Sequence, residues 1–215
     1  MSSLTDAEKR AAAEAAARLV EDGMLVGLGT GSTVAFLLPA LAERELDIRC
    51  VATSVATEEQ GRELGLPIEP FDSIDRLDIA IDGADQIAPD GWLVKGGGGA
   101  HTREKIVAAA ADRFIVIADS SKPVDEIAAP IPLELLEFGL PSTLGRLGDV
   151  ELRDGAARSP DGGVIADYTG GVDDPSLLAA RLAATPGVVD HGLFAPQMVS
   201  EVLIGRDAAV DRIEV

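Results

Sequence analysis

Short apolar runs alternate with helix-forming segments as far as Asp119, and this alternation limits the possible folds more than any other feature of the sequence. Four runs have the length and apolar character of buried strands: MLVGLG (24–29), DIRCVATS (47–54), LDIAID (77–82) and FIVIAD (114–119). Helical spacing lies between them, in VAFLLPALAERE (34–45), TEEQGRELG (57–65) and IVAAAA (106–111). Strands and helices that alternate in this way predict a parallel sheet with helices on both faces.

Two further elements belong to this first part of the chain. An alanine-rich stretch over 5–22 predicts a helix, with Thr5 and Glu8 spaced as a capping box at its start and Gly23 after its end. LPIEP (66–70) predicts a short strand. These elements fit the same α/β organisation.

The character of the sequence changes after Pro123, in a linker-like stretch punctuated by Pro130, Pro132 and Pro141. The segments beyond it predict two antiparallel strands, a helix capped by Asp174 or Asp173, and another strand. They are VELRD (150–154), GVIADY (163–168), DPSLLAARLAATPG (174–187) and VVDHGLF (188–194). This order is typical of a small α+β unit.

The expected fold class is therefore α/β, with an open, parallel, Rossmann-like sheet in one domain and a smaller α+β second domain. We place the α/β domain, which we expect to be catalytic, at residues 1–129 plus 202–215, because VLIG (202–205) and a last helix can return to the sheet. The second domain is expected to span 130–201.

The charge of the chain excludes some classes of partner. The sequence has 37 acidic against 18 basic residues, a net charge of -19, and such a surface repels nucleic-acid phosphates. No apolar run approaches the ~18 residues of a membrane-spanning helix, and MSSLTDAEKR lacks the layout of a signal peptide. Cys50 is the only cysteine, so neither a disulfide nor a cysteine-based metal site is expected. We expect a cytoplasmic protein that binds neither nucleic acid nor membrane.

Three motifs follow predicted strands, where parallel sheets bind their ligands. In the first, GTGST (29–33), backbone N–H groups and hydroxyls can cradle a phosphate at a helix start. The third glycine of a dinucleotide motif is replaced by Ser32, and no Gly-Lys-Ser/Thr follows, so a mononucleotide or sugar phosphate is favoured. A tight turn without any ligand is the alternative.

The second motif, DGAD (82–85), places Asp82 and Asp85 three residues apart just beyond a strand, with Gly83 allowing a bend between them. Both carboxylates can face a cleft. They can equally cap the following turn through side-chain hydrogen bonds to the backbone. A Mg²⁺ site is a third option, although nothing in the sequence demands a metal.

The third motif, KGGGGAHTRE (95–104), contains four consecutive glycines, which weaken the chain unless a ligand must approach the backbone closely. Lys95 can stabilise an oxyanion and Glu104 can accept a carbon-bound proton, which are the two requirements of enolisation beside a carbonyl. The alternative for Glu104 is a surface acid near a helix start. His101 is a peripheral candidate base, or else a cap or solvent-exposed residue.

With these motifs established, the chain resembles ribose-5-phosphate isomerase of the A type, whose sequence blocks occur here in the family's order over nearly the whole chain. The blocks are GTGST (29–33), TSVATEEQGRELGLP (53–67), DIAIDGADQI (78–87), LVKGGGGAHTREK (93–105), FIVIADSSK (114–122) and PGVVDHGLF (186–194). The resemblance implies interconversion of D-ribose 5-phosphate and D-ribulose 5-phosphate through an enediol, in the non-oxidative branch of the pentose phosphate pathway. It implies no metal and no organic cofactor.

The resemblance also implies roles for individual residues. Glu104 is the expected proton acceptor, Lys95 and the glycine N–H groups stabilise the enediolate oxygen, and Asp82 with Asp85 hold sugar hydroxyls and help open the ring. The implied substrate-binding residues are Thr30, Gly31, Ser32, Thr33, Asp82, Gly83, Ala84, Asp85, Lys95, Gly96, Gly97, Gly98 and Lys122. Gln86 and His101-Thr102 depart from the family's usual pattern, which leaves the role of His101 open. A homodimer or homotetramer is implied, with the second domain as the expected assembly surface.

Three other classes share parts of this pattern. A sugar-phosphate-sensing regulator resembles this framework without doing chemistry, but it would normally carry a DNA-binding segment. A coenzyme A transferase would use a glutamate as a covalent nucleophile. A dehydrogenase would need the missing third glycine. The spacing of Lys95 and Glu104 and the GTGST loop favour the isomerase.

Overall fold

The computed structural model describes residues 2–155, 158–207 and 209–215, and the chain divides into two compact units. Unit 1 comprises Met1–Ala84, Glu104–Lys122 and Gln197–Val215, and unit 2 comprises Asp85–Arg103 and Pro123–Pro196. The division differs from the expected domain boundaries mainly in assigning 85–103 to the smaller unit. The reason is that two short strands in this segment form a three-stranded sheet with the strand at 193–194.

The elements follow one another along the chain in this order. The strands are β1 Leu25–Leu28, β2 Arg49–Ala52, β3 Leu77–Gly83, β4 Gln86–Ile87, β5 Leu93–Val94, β6 Ala111–Asp119, β7 Ile131–Leu135, β8 Val150–Leu152, β9 Val164–Tyr168, β10 Val188–His191, β11 Leu193–Phe194, β12 Glu201–Arg206 and β13 Ala209–Glu214. The helices are α1 Ser2–Ala17, α2 Val34–Ala42, α3 Val55–Glu63, α4 His101–Ala110, α5 Leu140–Leu147 and α6 Pro175–Ala183, with a 3₁₀ turn at Pro196–Met198. No helix among the described residues is long and apolar enough to cross a membrane.

Unit 1 is built on a six-stranded sheet in the order β13-β12-β6-β3-β1-β2. β12, β6, β3, β1 and β2 are parallel, whereas β13 pairs antiparallel with β12 at the edge. The predicted α/β class with a mostly parallel sheet is confirmed. Because parallel strands end at the same edge of a sheet, the loops after β1, β2, β3 and β6 lie along one edge of unit 1.

Both faces of this sheet are covered, because successive side chains of a strand point to opposite faces. On one face, Val26 and Leu28 of β1 pack in a core cluster with Ala12 of α1 and Leu37 of α2. On the other face, Gly27 lies against Val107 of α4, so closely that a Cβ atom at Gly27 would overlap that side chain. The helices therefore enclose the sheet as the alternating pattern predicted.

Unit 2 contains two antiparallel sheets, one in the order β10-β7-β9-β8 and one in the order β11-β5-β4. Leu147 of α5 and Leu182 of α6 pack in one core cluster with Leu133 of β7. α6 begins after Asp174, whose carboxylate accepts hydrogen bonds from the N–H groups of Ser176 and Leu177 at 2.8 and 3.1 Å. The predicted α+β character of the smaller unit is confirmed.

Four local predictions were wrong. The linker-like stretch after Pro123 forms the buried strand β7, which pairs with β9 and β10, and the helix α5. α1 begins at Ser2 and ends at Ala17, and Glu8 closes no capping box because its carboxylate accepts hydrogen bonds from Ser120 and Asp207. LPIEP forms only an isolated bridge between Ile68 and Cys50. The C-terminal segment is β13 and not a helix, because its backbone extends the sheet along the edge of β12.

Candidate active site

The candidate residues are distributed over both units. Unit 1 carries Thr30–Thr33, Asp82–Ala84, Glu104 and Lys122, whereas unit 2 carries Asp85 and Lys95–Gly98. The chain passes from one unit to the other inside DGAD, immediately before Glu104 and immediately after Lys122. Two of the three predicted motifs, DGAD and KGGGGAHTRE, and the candidate residue Lys122 therefore coincide with points at which the chain changes unit.

The GTGST loop follows β1 and is held by a network of hydroxyl groups. The Thr30 hydroxyl oxygen lies 2.9 Å from that of Thr53 and 3.2 Å from that of Thr57. The Thr57 hydroxyl donates a hydrogen bond to the Gly29 carbonyl at 2.9 Å. Thr33, the N-cap residue of α2, makes no side-chain capping bond, while Ser32 is exposed. The loop thus presents a helix N-terminus and a hydroxyl, as anion-binding loops do.

A lysine that the sequence analysis did not select lies at this loop. Lys9 of α1 donates a hydrogen bond from Nζ to the Ser32 Oγ atom at 3.0 Å. No local motif marks Lys9, because the contact joins the middle of a helix to a loop after the next strand. One signal was available: the chain has only four lysines, and Lys95 and Lys122 already belong to candidate motifs.

Asp82 is the last buried residue of β3, and its carboxylate bonds to the backbone at the ends of β1 and β3. Its side chain is 3% exposed, and its Oδ1 atom accepts hydrogen bonds from the N–H groups of Thr30 at 3.0 Å and Gly83 at 2.7 Å. Gly29 packs against the same carboxylate, where a Cβ atom would overlap it. Asp82 therefore organises the backbone of the first two motifs, and a contact with sugar hydroxyls stays a prediction.

Glu104 lies in the first turn of α4 and is only 5% exposed. The alternative that it is a surface acid is wrong for this reason. His101, the first residue of α4, is fully buried, so the solvent-exposed interpretation of that residue is wrong as well. The burial of Glu104 is compatible with the predicted role of proton acceptor, and that role stays a prediction.

Lys122 lies in the loop that follows β6, and α1 anchors this loop. The Glu8 carboxylate accepts hydrogen bonds from the Ser120 N–H at 3.1 Å and the Ser120 hydroxyl at 2.7 Å. These bonds lower the pKa of Glu8, since they stabilise its charged form, while burial and the nearby Asp119 oppose the shift. Glu8 and its neighbour Lys9 thus connect α1 to the Lys122 loop and to the GTGST loop, respectively.

In unit 2, Lys95 follows β5 and is 2% exposed. Its Nζ atom lies 5.5 Å from the centroid of the Phe194 ring, within cation–π range, and its backbone N–H donates to the Gly192 carbonyl at 2.9 Å. The side chain is therefore held in a defined, largely desolvated position. A charge in such an environment interacts more strongly with other charges than it would in water.

The glycines after Lys95 form a tight turn that admits no side chain at its start. Gly96 has a φ of +107°, and a Cβ atom there would lie 2.6 Å from the His101 Nδ1 atom and 2.8 Å from the Pro132 Cβ atom. The Gly99 N–H donates to the Gly96 carbonyl at 3.0 Å, and the Gly97 N–H donates to the Asp85 Oδ2 atom at 2.8 Å. The structure thus brings Asp85 and the glycine run together within unit 2.

The described residues contain no group of three or more histidine, cysteine, aspartate or glutamate side chains arranged to hold a metal ion. The carboxylates of DGAD instead accept hydrogen bonds from backbone N–H groups, Asp82 in unit 1 and Asp85 in unit 2. This is the bonding expected of residues that shape turns.

Comparisons with known proteins identify relatives over the full extent of this fold. The family model of ribose 5-phosphate isomerase A (phosphoriboisomerase A) matches residues 49–209. Ribose-5-phosphate isomerase A of Caulobacter vibrioides (strain NA1000 / CB15N) is 45% identical over 224 residues, which cover 97% of this chain and 98% of that protein.

Solved structures agree. Ribose 5-phosphate isomerase A from Neisseria gonorrhoeae superposes with a TM-score of 0.92 at 33% identity, covering 98% of this chain and 97% of that one. A D-ribose-5-phosphate isomerase in complex with phospho-erythronic acid superposes with a TM-score of 0.90 at 34% identity, covering 96% and 97% of the two chains. The resemblance found in the sequence is confirmed: the chain belongs to the ribose 5-phosphate isomerase A family.

Proposed function

We propose that this protein interconverts D-ribose 5-phosphate and D-ribulose 5-phosphate through an enediol, with Glu104 as the proton acceptor. Its relatives carry the name ribose-5-phosphate isomerase A. The observation that carries the role of Glu104 is its burial, at 5% exposure, in the first turn of α4. A carboxylate in such a site can be basic enough to take a carbon-bound proton. The reaction belongs to the non-oxidative branch of the pentose phosphate pathway.

The proposed reaction begins with the open-chain aldose. Glu104 removes the proton from C2, and the electron pair of that bond moves to form the enediolate while negative charge develops on the carbonyl oxygen. Lys95 and the N–H groups of the glycine run stabilise this oxygen. Glu104 then returns the proton to C1, and a proton passes from the oxygen on C2 to the oxygen on C1, which leaves the ketose.

The substrate phosphate is assigned to the loop Thr30–Thr33 and to Lys122, and we add Lys9 to this set. The exposed Ser32 hydroxyl, the hydrogen bond that Lys9 gives it at 3.0 Å, and the N-terminus of α2 support this assignment. Asp82 and Asp85 are assigned to the sugar hydroxyls and to ring opening. The phospho-erythronic acid in a similar structure is a phosphorylated sugar acid, which supports a ligand of this class for the present chain.

The protein is further proposed to act in the cytoplasm, without metal or organic cofactor, as a homodimer or homotetramer. Two large apolar side chains of unit 2 support an assembly surface there: Phe138 is 93% exposed and Leu177 is 70% exposed. Light scattering coupled to size-exclusion chromatography tests the assembly, and a monomer at micromolar concentration contradicts it.

The test of the function is ribulose 5-phosphate formation from ribose 5-phosphate in the presence of EDTA. Glu104→Gln keeps the shape but removes the basicity, so kcat should fall by about 10²- to 10⁴-fold while KM changes little. Glu14→Gln, at an exposed position on α1, is the matched control and should behave as wild type. A near-normal kcat in Glu104→Gln refutes the base, whereas a wild-type protein that binds ribose 5-phosphate without turnover is a sensor.

A further inference from the structure

Arg153, which follows β8 in unit 2, contacts the glycine run across 56 positions of sequence. Its Nη1 atom donates hydrogen bonds to the carbonyl oxygens of Gly96 at 3.2 Å and Gly97 at 3.0 Å. Its Nε and Nη2 atoms bind the two carboxylate oxygens of Asp167 on β9 at 2.8 and 2.5 Å. One guanidinium therefore links β9, an interior strand of the four-stranded sheet in unit 2, to the glycine run, which has no side chains.

We propose that Arg153 is a positioning residue of the isomerase reaction, because it fixes the peptide groups of the glycine run and so the direction in which the Gly98 N–H is presented. The inference rests on the proposed function, in which the N–H groups of this run stabilise the enediolate oxygen. Asp167 in turn orients Arg153.

The direction of the Gly98 N–H follows from the planarity of the peptide group. In a trans peptide the C=O and the N–H point in opposite directions. The first peptide of the turn illustrates this, because the Gly96 oxygen accepts from Arg153 while the Gly97 N–H donates to Asp85. In the next peptide the Gly97 oxygen also accepts from Arg153, so the Gly98 N–H must point away from the guanidinium.

The surroundings of Arg153 suit a residue that fixes the conformation of the glycine run. Its side chain is 24% exposed and that of Asp167 is 19% exposed, so the pair is shielded from much of the solvent. The hydrogen bonds that Arg153 donates to Asp167 raise the pKa of Arg153, burial opposes this shift, and the negative charges of Asp167 and Asp85 add to it. A planar fork with this many donors can serve a carboxylate and two carbonyls at once, which a lysine cannot.

The glycine run requires such external support. Four glycines have more backbone freedom than any other tetrapeptide, and a donor that wanders by about 1 Å can cost about 10²-fold in rate. Within the run, one internal hydrogen bond joins Gly99 to Gly96. Asp85 and Arg153 add contacts on opposite sides of the first peptide group.

The test compares three variants of the full-length protein. Arg153→Met removes every donor, Arg153→Lys keeps the charge without the fork, and Asp167→Asn weakens the group that orients Arg153. We expect kcat to fall about 10- to 100-fold in Arg153→Met with KM changed less than about threefold, and Arg153→Lys to lie between it and wild type. The pH profile of kcat should not move, because arginine does not titrate in this range.

A second readout is independent of activity. Hydrogen exchange followed by mass spectrometry should show amides of the segment 93–104 exchanging about tenfold faster in Arg153→Met, with the rest of unit 2 unchanged. Arg158→Met is the matched control, because Arg158 also pairs with a carboxylate, Glu137, and donates to a glycine carbonyl outside the run, that of Gly162. It should change neither kcat nor exchange by more than about twofold.

The outcomes separate the possibilities. Unchanged kcat and unchanged exchange in Arg153→Met overturn the inference, and so does faster exchange throughout unit 2, which marks a merely structural role. If wild type does not turn over ribose 5-phosphate but Arg153→Met still loosens only the glycine run, the proposed function fails and the contact itself is upheld. Should Arg153→Met not fold, Asp167→Asn with the same two readouts decides the question.

Discussion

The two candidate loops, Thr30–Thr33 in unit 1 and Gly96–Gly99 in unit 2, are held in opposite ways. The first is held by the hydroxyl of Thr30 and the backbone contacts of Asp82, groups that are themselves candidates for ligand contact. The second has no side chains and is held from outside by Asp85 and Arg153. The groups named for the first loop are all candidates for ligand contact, whereas the second loop is held by one such candidate, Asp85, and by Arg153, which has no assigned ligand contact, so substitutions should affect the two loops differently.

Gly96→Ala should have the largest effect, and it tests how tightly the second loop is enclosed. A side chain at a φ of +107° is strained, and its Cβ atom would meet His101 and Pro132 at 2.6 and 2.8 Å. We expect a loss of about 2–5 kcal/mol in the free energy of unfolding, from strain and overpacking together.

Gly31→Ala is the comparison from the first loop. Gly31 has a φ of +120°, but nothing lies within 4 Å of a Cβ atom there, so only strain is added and a loss of about 1–3 kcal/mol is expected. Denaturant unfolding of both variants measures the difference. Equal losses would mean that the second loop is no more enclosed than the first.

Substitutions that remove phosphate contacts from the unit 1 loops should have the next largest effect, on binding and not on the chemical step. In Ser32→Ala, Lys122→Ala and Lys9→Met, KM for ribose 5-phosphate should rise about tenfold each while kcat changes little, since a hydrogen bond to a charged group is worth about 1.5–3 kcal/mol.

Arg10→Met is the control for the lysine on α1. Arg10 is its neighbour in sequence and lies over the Phe36 ring at 4.9 Å, so its loss removes a nearby positive charge without touching Ser32. Steady-state kinetics at fixed ionic strength measure all four variants. If kcat fell in Ser32→Ala, Lys122→Ala and Lys9→Met without a rise in KM, the phosphate would bind elsewhere. The two loops would then not differ in the way proposed.

The smallest expected effect concerns the support of the Lys122 loop and depends on pH. The hydrogen bonds from Ser120 lower the pKa of Glu8 in the folded state, so the stabilisation is fully present above its unfolded value of about 4.3 and is lost as pH falls through the folded pKa. Glu8→Gln should therefore melt below wild type at pH 7, and the difference in Tm should shrink below about pH 4.

Glu14→Gln, exposed on the same helix, serves as the control for this measurement. Thermal unfolding of the three proteins across the pH range gives the comparison. A Tm difference that does not change with pH would show that the charge of Glu8 contributes nothing to holding the loop.

Much of the fold followed from local signals. The alternation of strands and helices predicted the parallel sheet, and the rule that ligands bind at strand ends selected GTGST and DGAD before any contact was known. The burial of Glu104 is consistent with its selection from the same kind of argument. The sheet depends on patterns among sequence neighbours, which is why a single sequence predicted it, whereas the ligand contacts of GTGST, DGAD and Glu104 stay predictions.

Features that depend on distant partners were missed. Nothing near Arg153 indicates the glycine carbonyls, and Lys9 meets Ser32 only because α1 packs beside the GTGST loop. β4 and β5 have two residues each, too few for a strand pattern, so the segment 85–103 was placed in the α/β domain. The capping-box interpretation failed because Glu8 has tertiary partners, which override a local preference.

The sheet order also bears on how the protein must be made. β6 ends at Asp119, and its parallel partner β12 begins only at Glu201. The backbone groups along one edge of β6 therefore stay unpaired during synthesis until β12 has been made. At about 5–20 residues per second, the ribosome needs on the order of ten seconds to deliver that strand. An apolar edge exposed for so long invites pairing with another nascent chain, and chaperone binding to this interval would protect the yield of folded protein.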